Sequence, residues 1–212
     1  MIGWKIVTKT PNAALEGNYK RPGVKEHIRL EAHERCVYCG IHENFIGGIN
    51  AFHKDHYKPK VRFEELKHTL GNLYYSCPIC NTFKSDEWPN EPRSDHSIAA
   101  FPDPAKVDYN DLFIINWKTG IIKGAFTAAL YVENQLYLNR PQLTLTRQEY
   151  NLLQRSNIIS AETLPLVSQL LALRTKESLQ LVFEYQAAWQ QLQAVIMAGQ
   201  TIPRYEKEDV EK

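Results

Sequence analysis

Cysteine is scarce in this chain. Four thiols stand in 212 residues, at positions 36, 39, 77 and 80, and pairing them leaves none over. No apolar run approaches the roughly 18 residues that a membrane-spanning helix needs, and neither internal repeats nor low-complexity tracts interrupt the text. Net charge is only +1, so attraction of the whole molecule to a polyanion is not a basis for assigning function. Histidine is missing from the second half: His27, His33, His42, His53, His56, His68 and His96 all precede residue 100. The opening stretch MIGWKIVTKTPN lacks a charged start followed by an apolar run and a cleavage site. A cytoplasmic location is therefore expected, where paired cysteines are more often metal ligands than disulfides.

What is present is concentrated. Cys36-x-x-Cys39 and Cys77-x-x-Cys80 each set two sulfurs on one edge of a tetrahedron, which suits a single structural zinc. Redox chemistry or buried thiols without a metal are the competing readings. The pairs are separated by residues 40–76, 37 in all, too long a gap for a simple zinc ribbon, so something folded sits between them. From Ala51 to Lys84 the basic residues Lys54, Lys58, Lys60, Arg62, Lys67 and Lys84 face only Asp55, Glu64 and Glu65, a local balance of +3. A small basic patch there fits a phosphate backbone, although any one lysine could equally be a solvated surface charge.

Periodicity and breakers give a coarse layout. Lys5 to Asn18 reads as irregular. Val24 to Arg35 reads as a helix with Val24 and Ile28 on its inner face, delivering the chain to the first cysteine pair and Gly40. Phe45 to His56 reads as a strand or hairpin edge ended by Pro59, Leu73 to Ser76 as a second strand, and Pro78 as the first residue of a helix through Lys84. After Pro102-Asp103-Pro104 come a hairpin around Lys118-Thr-Gly120, helices over Thr127–Leu138 and Gln142–Gln154, and a long helix over Ala161–Met197. The expected organisation is a module over 1–100, a hairpin and helical region over 101–203, and a charged tail over 204–212.

The string Cys36-x-x-Cys39, Asp55-His56-x-x-Pro59-Lys60, Asn72-Leu73, Cys77-x-x-Cys80-Asn81-x-x-Lys84 resembles the HNH endonuclease superfamily, in its four-cysteine, zinc-stabilised branch. Several independently spaced elements coincide over about fifty residues, which is far more specific than one Cys-x-x-Cys. Asn81 stands where the family's third letter is His. The resemblance implies an α+β chain: a ββα-metal, treble-clef-like nuclease module followed by a mainly helical C-terminal region.

The resemblance also assigns roles. His56 would be the general base, a reading that its ordinary pKa near neutrality supports. Asp55 and Asn81 would hold a catalytic divalent cation, magnesium or manganese, because hard oxygen ligands suit those ions. Adjacent residues of a regular strand face opposite ways, so Asp55 and His56 can share a site only where the strand ends or bulges. Asn72 would tie down the loop and orient the histidine. Lys58 and Lys60 from the loop, and Lys84 three residues after Asn81 on the helix, are candidate phosphate contacts. His53 is read as a surface or hairpin residue, with a ligand role as the alternative.

The expected function is hydrolysis of DNA phosphodiesters leaving 5′ phosphates, with RNA left open as a substrate. A silent zinc module that binds nucleic acid or protein is the rival. Residues 101–147 bear a fainter similarity to extensions of small bacterial HNH proteins of anti-phage defence, some of which work beside an ATPase. That implies a protein partner of this kind, and cutting both strands would be easier for a homodimer.

Overall fold

The computed structural model describes residues 4–173 and 175–199, with the backbone alone for 152–160, 192–193 and 195–199. The charged tail expected over 204–212 lies outside the described residues. Two compact units divide the chain, Met1–Arg147 and Gln148–Lys212.

In the first unit, residues 4–18 run without regular structure before α1, Val24–Glu31, whose Val24, Ile28 and Glu31 are buried as its periodicity requires. The chain then turns through His33 and Glu34, both at positive φ, into the first cysteine pair. Two strands follow: β1, His53–His56, and β2, Leu73–Ser76, paired antiparallel with His56 opposite Leu73 and Asp55 opposite Tyr74. The first strand is shorter than the Phe45–His56 expected, because Glu43–Phe45 forms a 3₁₀ turn and residues 46–51 continue as turns through Gly47 and Gly48, both at positive φ. Helix α2, Pro78–Lys84, starts on its proline as the sequence predicts, with Cys77 as the N-cap. Strand, strand and helix thus form a ββα unit, giving an α+β fold.

Beyond it, a short α3, Tyr109–Leu112, leads into the hairpin of β3, Phe113–Asn116, and β4, Ile121–Gly124. Gly120 at φ +69 closes the turn, and a Cβ there would run into the Thr144 carbonyl. α4 spans Thr127–Gln135. The hairpin joins the core of the ββα unit: Trp4 stacks on Phe113 with ring centroids 5.0 Å apart and donates its indole N–H to the Tyr38 carbonyl at 2.8 Å.

α5, Pro141–Leu173, runs well past the expected stop at Gln154, and α6, Lys176–Gly199, follows. The single helix expected over Ala161–Met197 is therefore two. Thr175 and Ser178 bond reciprocally, each side-chain oxygen accepting the other's backbone N–H at 3.1 Å, and this capping pair starts α6 afresh. Thr163 and Tyr185 share a hydroxyl hydrogen bond within this unit. Along these two helices Val182 is buried while Leu164, Leu171 and Leu179 are exposed. No helix among the described residues is long and apolar enough to cross a membrane.

Candidate active site and metal centre

The first cysteine pair is tied to β2 through Val37 and the second directly follows that strand. The first sits in a knuckle closed by the Gly40 N–H on the Cys36 carbonyl at 2.9 Å, a turn that Gly40 allows by its φ of 73°, and the Val37 N–H pins it to the Tyr75 carbonyl at 3.1 Å. The second is set by the start of α2, where Cys77 Sγ accepts the Cys80 N–H. All four thiols are buried, and their sulfurs lie within 4.8 Å of one another. Cys39 and Cys77 sulfurs are 3.8 Å apart, matching the tetrahedral edge of about 3.8 Å that Zn–S bonds of 2.3 Å produce.

A cation from elsewhere completes this centre. Arg140, immediately before α5, aims Nη2 at the sulfurs of Cys39, Cys80 and Cys77 at 3.6, 3.7 and 3.9 Å. Four thiolates around a divalent zinc carry a net charge of about −2, which a buried guanidinium offsets. The Arg140 Nε is buried with no other partner among the described residues, so this side chain is held by the thiol cluster and by carbonyls of the preceding turn. The donor set fits a structural zinc with no coordination position left over. Nothing in the sequence links Arg140 to Cys80, 60 residues before it.

The second constellation lies at the end of β1. Asp55, His56 and Asn81 line one cavity of about 410 Å³, together with Lys54, Lys60 and Asp86. Adjacent strand residues reach the same cavity because His56 is the last residue of β1, after which the chain bends toward Pro59. His56 Nε2 meets the Lys67 carbonyl at 2.9 Å, which fixes that nitrogen as the protonated one and leaves Nδ1 with a free lone pair. Burial lowers the His56 pKa below the usual imidazole value, with the Lys67 carbonyl pulling the other way, so the neutral ring is favoured.

Asn72 holds the loop that supplies that carbonyl. Its Oδ1 accepts the Lys58 N–H at 2.9 Å, and its Nδ2 donates to the carbonyls of Lys58 at 3.0 Å and Leu66 at 3.4 Å. Leu66 adjoins Lys67, so Asn72 acts on the His56 ring through one peptide unit.

Asp55 is buried under α2. It accepts the Tyr38 hydroxyl at 2.6 Å, and Lys84 Nζ lies 3.2 Å from its Oδ2. Burial pushes the Asp55 carboxyl up; Lys84 and then Tyr38 pull it back. Lys84 itself is wholly buried and also donates to the His56 carbonyl at 2.8 Å. The expectation that Lys84 reaches a phosphate is therefore corrected: the face of α2 that carries it is the face packed on β1, and its charge is spent on Asp55.

The other lysines stay near the surface. Lys58 pairs with Glu91 at 2.9 Å and lies over the Phe63 and Trp88 rings, whereas Lys60 is exposed at the rim of the cavity. His53 is exposed, opposite Ser76, and joins no ligand cluster among the described residues. Tyr38 gave a signal only by lying inside the first cysteine pair.

Residues 36–87 match the family model described as HNH endonuclease. This segment is an HNH module. Its matched span runs from the first cysteine of the metal centre to just past α2, and so contains both constellations except for Arg140. Neither a curated protein nor a solved structure matches the chain. The HNH module supplies a nuclease-type site, a four-cysteine centre positioned for a metal ion, and a nucleic acid as the expected substrate class.

Proposed function

We propose that this protein is a metal-dependent endonuclease that hydrolyses DNA phosphodiester bonds. The observation that carries this is the His56 ring, tethered through Nε2 to the Lys67 carbonyl, in one cavity with Asp55 and Asn81. His56 Nδ1 takes the proton from the attacking water. Asp55 and the side-chain oxygen of Asn81 would hold a magnesium or manganese ion, which supplies neutralisation of charge on the phosphate and the departing oxygen. Asp55 retains unshared lone pairs for this despite its bonds to Tyr38 and Lys84. Asn72 is a positioning residue, and Lys58 and Lys60 contact the flanking phosphates. The cysteine centre, carrying zinc, holds the module in shape.

The context reading, anti-phage defence beside an ATPase, rests on the sequence similarity of residues 101–147, and that of a homodimer on the ease of cutting both strands with one site per chain. Plasmid nicking with Mg²⁺ or Mn²⁺ tests the enzyme reading. Wild type converts supercoiled plasmid to nicked and linear forms, and His56→Ala loses about 100-fold or more of that rate. Equal cleavage by both sinks the role of His56, and no cleavage by wild type of any DNA or RNA leaves a zinc module that only binds.

A further inference from the structure

Beside the His56 cavity lies a second depression of about 660 Å³, lined by Tyr19, Lys20, Lys60, Val61, Glu64, Lys67 and His68. Lys60 lines both, so the two are neighbours along one surface. Tyr19 falls outside the span that matches the HNH model. It is brought here by a loop stapled to the segment before β2: the Gly17 N–H donates to the His68 carbonyl at 3.2 Å, and Glu16 accepts the Leu70 N–H at 3.0 Å.

The rings form an ordered set. Tyr19 meets the His56 ring edge-on, with centroids 4.9 Å apart at 76°, and stacks on His68 at 5.6 Å and 27°. His68 is exposed, and among the described residues no polar partner holds its ring. Three ammonium groups surround Tyr19: Lys60, Lys54 and Lys20 lie 5.7, 5.9 and 6.0 Å from its centroid. Tyr19 against His56 alone could be packing. A stacked pair with an exposed outer member is different, because it leaves an aromatic ring open to water, and Lys20, Lys60 and Lys67 against Glu64 leave the same depression with an excess of positive charge that attracts an anion. Stacking faces interleaved with lysines are what a nucleic-acid strand with unpaired bases requires.

We propose that Tyr19 and His68 form a stacking shelf for an unpaired nucleobase of the DNA strand, next to the phosphate attacked by the water that His56 deprotonates, with Lys20, Lys54 and Lys60 on the adjoining phosphates. This rests on the nuclease reading above. Tyr19 backs His68 on one side and the catalytic ring on the other, so a seated base and a correctly set His56 are coupled. A duplex hides its base faces, and the shelf therefore selects DNA that is single-stranded or locally opened.

The test is fluorescence anisotropy on the zinc-loaded full chain without added Mg²⁺ or Mn²⁺, using a labelled single-stranded DNA oligonucleotide and its all-abasic counterpart. The base-bearing strand is expected to bind about tenfold more tightly. That advantage collapses in His68→Ala and Tyr19→Ala and persists in Tyr19→Phe, which keeps the ring. Equal affinity for the two strands overturns the shelf, as does an advantage that survives both alanine variants. His68 is exposed, so His68→Ala remains informative if Tyr19→Ala fails to fold. Tighter binding of the ribonucleotide oligomer overturns the assignment to DNA. Plasmid cleavage reports separately on the nuclease reading: cleavage with no base preference removes the shelf alone, and base preference with no cleavage removes the enzyme alone.

Discussion

Lys84 Nζ lies 3.2 Å from Asp55 Oδ2, with the lysine side chain wholly shielded from solvent and the aspartate 6% exposed. The pair joins α2 to β1 at the floor of the candidate active site. A buried pair of this kind need not add stability as a whole, but losing one partner strands the other charge in low dielectric.

Lys84→Ala is accordingly expected to lose about 3 to 5 kcal/mol of folding stability in urea unfolding. Lys84→Met combined with Asp55→Asn should recover much of that loss, because neither residue then leaves an unpaired charge. A surface lysine serving phosphate would behave differently, with stability changed by about 0.5 kcal/mol or less and DNA binding weakened.

Much of the module was legible in the sequence because its signals are local. Pro78 opens α2 and Leu73–Ser76 forms β2 where breakers and β-branched or aromatic residues put them, and the cysteine spacing foretold a metal centre. Asp55, His56 and Asn81 do meet in one cavity. Lys84 was misread because spacing of three on a helix tells which residues share a face, not whether that face meets water. Arg140 and Tyr19 were invisible for another reason: each acts across a fold-dependent contact far from its sequence neighbours. The long final helix was overextended because periodicity continues across Thr175, and only the reciprocal bonds with Ser178 reveal a new start.

For His56, nitrogen-detected NMR of the zinc-loaded protein without added divalent cation should find the proton on Nε2 at pH 7. Because burial depresses the folded-state pKa, the ring should stay neutral as pH falls through 6.5, where an unfolded histidine charges. Its contribution to stability is then present above the unfolded pKa and lost as pH drops through the folded one. Titration at or above 6.5 would contradict the desolvated, tethered ring.

Asn72→Ala removes three hydrogen bonds that pin the loop 58–66. A stability loss of about 1 to 3 kcal/mol is expected, together with a fall in kcat larger than any change in KM, since Asn72 holds the segment that orients the base and does not itself reach substrate. If kcat is unchanged while the protein is destabilised, Asn72 is structural only.

At the cysteine centre, Cys77→Ser should release zinc to a chromogenic chelator and unfold the module, whereas Asn81→Ala should leave zinc in place and lower only cleavage. Arg140→Ala should keep the fold at low temperature but weaken zinc retention by roughly 10- to 100-fold. Arg140→Lys should restore little, because a point charge cannot spread over three sulfurs as a planar guanidinium does. Zinc retention equal to wild type in Arg140→Ala would show the contact to be incidental.

Arg140 stands 53 positions beyond residue 87, where the family match stops (140 − 87 = 53). The smallest exchangeable unit of this fold is thus longer than the segment that matches the HNH model. A chimera that grafts residues 36–87 onto a foreign C-terminal region would inherit the four cysteines and the His56 cavity but not the counter-charge. Exchange of modules between relatives should therefore succeed only where the incoming partner brings its own cation to the sulfur face.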